Sequence, residues 1–140
     1  MKDRIRLDGL RRGEDAAFAL LRLYLGGFLI WGVWDNITST ARMAEFQAFL
    51  AGLNCPAPAL AAPISVWAQF VVGVLLIPGF LTRWAGLLLA INFLVAVALL
   101  AGAGAPAREL FGPMMCILAG LVLATHGPGA LSIDGRVSRR

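Results

Sequence analysis

The chain has 140 residues, 59% of them hydrophobic and 14% charged, with a formal net charge of +4 and a mean hydropathy of +0.79. Soluble domains carry roughly 25% charged residues, and a chain this short needs polar side chains to cover its large surface, so the composition speaks against a water-soluble globule and against a disordered chain. The basic residues gather at the two ends, which points to anionic lipid and membrane orientation and away from nucleic acid.

Four long apolar stretches follow in chain order, at 16–34, 60–81, 84–105 and 110–126. A helix needs about 20 mostly apolar residues, at 1.5 Å each, to cross a hydrocarbon core of about 30 Å. The first three stretches meet that length and the fourth sits at the short end. None alternates polar with apolar, which argues against strands, and a helix satisfies its own backbone hydrogen bonds in lipid. The expectation is an all-α, four-helix transmembrane bundle forming one membrane domain over 16–126. A basic tail at 1–15 precedes it and a second tail at 127–140 follows.

Gly26, Gly27, Gly73, Gly86 and Gly120 lie inside the apolar runs, where small residues let helices approach closely in lipid. Their spacing is not GxxxG, so close packing within one bundle is the simpler reading, and a homo-oligomer stays open as a partner. Trp31, Trp34, Trp67 and Trp84 fall near the ends of the predicted spans, where tryptophan anchors at the headgroups or simply packs. Lys2, Arg4, Arg6, Arg11, Arg12, Arg83, Arg136, Arg139 and Arg140 share one side, against Arg42 and Arg108 on the other. By the positive-inside rule both termini are then cytoplasmic. The first run is too long for a signal-peptide core, and Trp31 and Trp34 stand where small cleavage-site residues belong, so it reads as a retained span.

The outer loop after the first span carries Met43, Phe46, Phe49, Leu50 and Leu53 at helical spacing, with Ser39 or Thr40 as a cap. This predicts a short amphipathic helix on the membrane surface or across the mouth of the bundle. Residues 54–58, Asn-Cys-Pro-Ala-Pro, read as an extended turn into the second span.

No metal-ligand spacing, nucleophile triad or phosphate loop is present, and His126 has no nucleophile beside it. The candidates are polar residues at membrane depth. Arg22 either snorkels to the nearer surface or faces a polar cavity. Asp35 and Asn36 end the first span, as helix caps or as the lining of an outer mouth. Gln69 and Asn92 lie within the second and third spans and should face the bundle interior. They serve either in interhelical hydrogen bonds, worth about 0.6 kcal/mol each, or in holding a polar headgroup such as a quinone carbonyl. Glu109 suits the N-terminus of the fourth span. Cys55 and Cys116 approach the outer side, where disulfides are permitted. They are a redox or disulfide pair or two separate cysteines, and their different depths weigh against a bridge.

Several segments together resemble the DoxX family of small four-helix membrane proteins. They are Leu20-Leu21-Arg22-Leu23, Trp31-Gly32-Val33-Trp34-Asp35-Asn36, Phe46 through Leu53 with Pro56-Ala57-Pro58, and Gln69-Phe70-Val71-Val72-Gly73. Gly79-Phe80-Leu81-Thr82-Arg83-Trp84-Ala85 and Gly127-Pro128-Gly129-Ala130-Leu131-Ser132-Ile133-Asp134 complete the set. The resemblance implies a multi-pass protein of the bacterial inner membrane. It also implies a link to quinone-coupled oxidation of sulfur compounds or to assemblies handling thiol stress, with a membrane or periplasmic redox protein as partner. The family pattern commonly has His-Gly where this chain has Trp31-Gly32, a Lys where it has Asn36, and a Glu where it has Gln69. Three ionisable groups are thus neutral here. A non-catalytic anchor for a partner protein is therefore an alternative, and a small-solute transporter is a second. The transporter would call for repeats and broken helices, and the sequence displays no evident repeat.

Overall fold

A computed structural model describes residues 8–138. A short 3-10 turn at Asp8–Gly13 leads into α1 (Glu14–Thr38), followed by α2 (Thr40–Gly52), α3 (Pro58–Leu76), α4 (Thr82–Gly102), α5 (Ala107–His126) and a five-residue α6 (Ile133–Val137). No strand occurs among the described residues. Lys2, Arg4, Arg6, Arg139 and Arg140, counted above for orientation, lie outside them.

Helices α1, α3, α4 and α5 are each long and apolar enough to cross a membrane. Only 17–28% of each apolar window is buried inside the protein. The rest leaves side chains such as Leu20, Ile64, Trp84 and Phe111 facing outward on every helix. Water does not tolerate so large an apolar surface, whereas lipid matches it. The chain is an all-α, four-helix integral membrane domain, with the surface helix predicted between the first two spans present as α2.

The helix ends have local causes. Pro58 opens α3, where its missing N–H costs nothing. The apolar run at 60–81 does not stay helical to its end. Pro78 cannot donate a helical hydrogen bond, Gly79 turns at φ +71°, and Leu81 takes φ +49°, so α3 stops at Leu76. The shorter span moves Trp67 to the middle of α3, where it packs edge-on against Phe70 at 5.7 Å. It is therefore not a helix-end residue as the sequence suggested, whereas Trp84 does stand at the start of α4.

The core is built from Leu25, Leu29, Val72, Leu76, Leu89, Leu123 and Cys116, drawn from all four spanning helices. Two glycine contacts set the helix spacing. A Cβ on Gly26 would lie 2.8 Å from the carbonyl oxygen of Gly73, and one on Gly86 would lie 2.5 Å from that of Gly120. Real Cβ atoms do not come this close, so α1 meets α3, and α4 meets α5, only because these positions are glycine.

At the end of the bundle where α1 starts and α5 ends, the segment after α5 folds back across the helices. Its Asp134 carboxylate accepts from the backbone N–H groups of Leu81 (3.0 Å) and Thr82 (2.9 Å), capping α4 from 52 residues away. The N–H groups of Ile133 and Asp134 donate to the carbonyls of Pro78 and Gly79, both at 3.1 Å. Asp15 accepts from the N–H of Ala130 at 2.6 Å. His126 stacks on Phe18 with ring centroids 4.0 Å apart, and its Nε2 lies 3.3 Å from Glu14 Oε1.

Candidate functional site

At the opposite end, α2 lies across the mouth of the bundle. Ser39 is extended (φ −130°, ψ 118°), which breaks the chain from α1, and its hydroxyl accepts from the N–H of Arg42 at 3.4 Å to start α2. Arg42 then ties the new helix to the old one. Its Nε donates to Asp35 at 3.0 Å, its Nη1 to Glu45 at 2.7 Å, and its carbonyl accepts from Asn36 Nδ2 at 3.1 Å. The hydrogen bond to the Asp35 carboxylate and the charge of Glu45 hold the Arg42 guanidinium above its usual pKa.

This seating turns Phe46, Phe49, Leu50 and Leu53 downward beside α3, where they roof a cavity of about 390 Å³ between α3 and α4. That falls within the size of small-molecule pockets, roughly 300–1,000 Å³. One wall is the α3 face carrying Ala61, Ile64, Ser65, Ala68 and Gln69, and the other is the α4 face from Leu88 through Asn92 and Ala96 to Leu100. At 1.5 Å per residue the α4 wall extends about 18 Å. The small side chains of Ala61, Ala68 and Ala96 leave the space that larger residues would fill.

Three polar side chains reach the cavity. Gln69 Nε2 donates to Ser65 Oγ at 3.2 Å, one turn along the same helix, which leaves the Gln69 carbonyl oxygen free. The Asn92 amide forms no side-chain hydrogen bond among the described residues and faces Gln69 from the other wall. No ionisable group lines the cavity. The arrangement can enclose an apolar molecule and give its one polar group both a donor and an acceptor. It holds no acid–base pair, and the described residues contain no His, Cys, Asp and Glu cluster able to ligate a metal.

Of the five polar residues that the sequence singled out, Gln69 and Asn92 come together here and the other three do not. Asp35 and Asn36 are engaged with Arg42 above the cavity. Arg22 lies at the far end of the bundle, 1% exposed. It neither snorkels nor faces a polar cavity: its Nη1 donates to the carbonyls of Leu76 (3.2 Å) and Ile77 (3.4 Å), and its Nη2 to that of Leu131. It closes the end of α3 and tethers the C-terminal segment. Cys55 is half-buried in the loop before α3 and Cys116 is buried in the core; both are free thiols, and neither lines the cavity.

The sequence reading placed the Phe46, Phe49, Leu50 and Leu53 stripe on a helix at the membrane surface or across the mouth; the cavity beneath it and the alanine-lined walls are the parts it did not assign. The signal available was the α4 stripe Leu88, Asn92, Val95, Ala96 and Leu99, which repeats at helical spacing with one amide and one alanine among large apolar residues.

A membrane-embedded four-helix bundle with a surface helix in its first loop is the class that these features define. The sequence model of the DoxX family matches residues 17–103, from the start of α1 through α4 and thus across the whole cavity. The chain belongs to the DoxX family. No curated protein and no solved structure matches it.

Proposed function

We propose that this chain is the membrane subunit of a quinone-linked redox or thiol- and sulfur-oxidising system, and that the cavity beneath α2 receives the quinone. The observation that carries this reading is the pairing of Gln69 and Asn92 inside an otherwise apolar, uncharged cavity. A quinone carries two carbonyl acceptors on an apolar ring, and amide N–H donors in a water-poor wall suit it. The residues would bind and orient the ring and keep water from it. The electron chemistry would belong to the quinone and to a membrane or periplasmic redox partner. The clustering of Lys and Arg on the side of the termini supports a bacterial inner-membrane protein with both termini in the cytoplasm. The cavity and α2 then lie toward the outer face.

Purification in native lipid, with every bound small molecule identified by mass spectrometry, tests this reading. A quinone present at one equivalent, and lost in a Gln69→Leu/Asn92→Leu variant that still folds, supports it. No bound quinone, together with a specific co-purifying protein whose retention ignores both substitutions, would overturn it in favour of an anchoring role. The neutral residues at Trp31, Asn36 and Gln69 make that second reading worth the comparison.

A further inference from the structure

The cavity has a polarity gradient, and the gradient runs opposite to that of an ordinary lipid. Gln69 stands midway along α3 and Asn92 midway along α4, so the two amides mark the deep end, near the middle of the bundle. From there to the surface helix the walls carry one hydroxyl, that of Ser65, which already accepts from Gln69, and otherwise only apolar side chains; the roof is Phe46, Phe49 and Leu53. A phospholipid held in its normal posture would place its charged headgroup under these phenyl rings and its chains against the amides. Both placements are costly: an unpaired charge loses its hydration, and the Asn92 amide and the Gln69 carbonyl oxygen gain no partner. Of the two arginines at this end of the described bundle, neither Arg42 nor Arg108 lines the slot, and Arg42 is already engaged by Asp35 and Glu45.

The flanks of the slot differ as well. Helix α2 packs on α1 and α3 and makes no comparable packing against α4. Along α4, Ile91 and Val95 line the slot and are also about half exposed to the surroundings, so the wall continues without a barrier into the lipid-facing surface. A chain-bearing molecule can therefore enter sideways from the membrane without crossing water.

We propose that the slot selects an uncharged lipid bearing one small hydrogen-bonding group, a hydroxyl or a carbonyl. It binds that lipid head-down, with the polar group between Gln69 and Asn92 and the chain running along α4 toward Phe46 and Phe49. This rests on the cavity being a ligand site, as in the function proposed above, but it concerns the charge and direction of the occupant rather than its redox chemistry. A quinone is one member of the class.

Photolabelling of the full chain in lipid nanodiscs tests the assignment. The probes are dodecanol carrying a diazirine beside the hydroxyl, dodecanol carrying it at the far end of the chain, and the corresponding dodecyl phosphate. The head-proximal probe is expected to label peptides containing Gln69 or Asn92, and the tail-end probe peptides within 46–53. Dodecyl phosphate is expected to leave both regions unlabelled. In Gln69→Leu/Asn92→Leu, checked for folding by its thermal transition, the head-proximal labelling is lost; Gly27→Ala, outside the slot and with open space at its added Cβ, retains it. Reversed positions, equal labelling by the phosphate, or labelling indifferent to the double substitution would overturn the proposal. Head-down alcohol labelling in a protein that purifies without quinone refutes the quinone reading alone. Bound quinone with the alcohol probes elsewhere refutes this one alone.

Discussion

Arg22 and Arg83 occupy corresponding places in the two halves of the bundle. Arg22 precedes Gly26, whose backbone meets Gly73, and it donates to the carbonyls of Leu76 and Ile77 at the end of α3. Arg83 precedes Gly86, whose backbone meets Gly120, and it donates to the carbonyls of Ala124 (2.8 Å), Thr125 (2.6 Å) and His126 (3.2 Å) at the end of α5. In each hairpin an arginine on the first helix closes the orphaned, electronegative C-terminus of the second. Successive spans alternate in direction, so α1 and α4 run the same way and the chain is two hairpins in parallel. This is a repeat of contacts that the sequence does not display. Four positions separate Arg22 from Gly26 but three separate Arg83 from Gly86, and five separate Gly73 from Pro78 but eight separate Gly120 from Pro128.

The two arginines are not equal in consequence. Arg22 is 1% exposed, and its loss strips a donor from three carbonyls in a water-poor setting, of which only that of Leu76 keeps another, the Gly79 N–H; Arg83 is exposed and water can replace it. Arg22→Ala should destabilise the protein by about 3 kcal/mol and Arg83→Ala by about 1 kcal/mol. Arg22→Lys should not restore the loss, because one ammonium cannot serve three diverging carbonyls as a guanidinium does. Thermal unfolding in mild detergent checks the order; a stable Arg22→Ala would show that the carbonyls find other donors.

The glycine contacts predict a contrast between neighbours. Gly26→Ala and Gly86→Ala push a methyl group into a backbone carbonyl of the facing helix, and each should cost about 1–3 kcal/mol through forced helix separation. Gly27 has nothing within 4 Å of its added Cβ. Gly27→Ala should therefore be neutral or stabilising, by up to about 1 kcal/mol from helix propensity. The same thermal assay across the three variants reads this directly.

Asp134 caps α4 from a different part of the chain, so it ties the C-terminal segment to the start of the third span. Asp134→Ala should lower stability by about 1–2 kcal/mol, the range of a lost helix cap. It should also open the segment after Gly127 to limited proteolysis. Proteolytic rates unchanged from the wild type would mean that the Arg22–Leu131 and Ile133–Pro78 contacts hold the segment alone.

What was legible in the sequence was what is local. Hydropathy over 20 residues marks the spans, and the Phe46–Leu53 stripe with Ser39 ahead of it marks α2 and its cap. The partners of Arg22 were hidden because they are backbone carbonyls 54, 55 and 109 positions away, and a carbonyl has no residue signature. The cavity was hidden for a related reason: it consists of what Ala61, Ala68 and Ala96 do not fill, and this exists only once two helix faces meet. Asp35 and Asn36 suited a polar mouth equally well, and only the seating of α2 pairs them with Arg42.

That seating makes Arg42 the fastener of α2. Arg42→Ala removes both ion pairs and leaves the Ser39 cap, the Asn36 bond to the backbone carbonyl at position 42 and the apolar underside to hold the helix. Amide hydrogen exchange within 40–53 should accelerate while exchange in α4 stays unchanged, because exposed ion pairs hold local structure without carrying global stability. Raising the salt concentration on the wild-type protein should reproduce part of this acceleration. Uniform exchange across both helices would mean that α2 opens only with the whole bundle.

Ala96 offers a way to separate the cavity from the fold. Leucine at this position adds three carbons to a slot that the surrounding side chains leave open, and filling such space commonly stabilises by about 1 kcal/mol. A molecule that binds only the folded protein stabilises it in proportion to the logarithm of its concentration over Kd, by about 2.7 kcal/mol at a hundredfold excess over Kd. A short-chain ubiquinone analogue should therefore raise the Tm of the wild type in a concentration-dependent way. Ala96→Leu should start from a higher Tm and respond weakly or not at all. Arg22→Ala should start lower yet keep the full response, since Arg22 lies at the far end of the bundle from the slot. A response that survives Ala96→Leu would place the quinone analogue elsewhere, and a response lost in Arg22→Ala would mean that the slot does not persist once the α3 end is released.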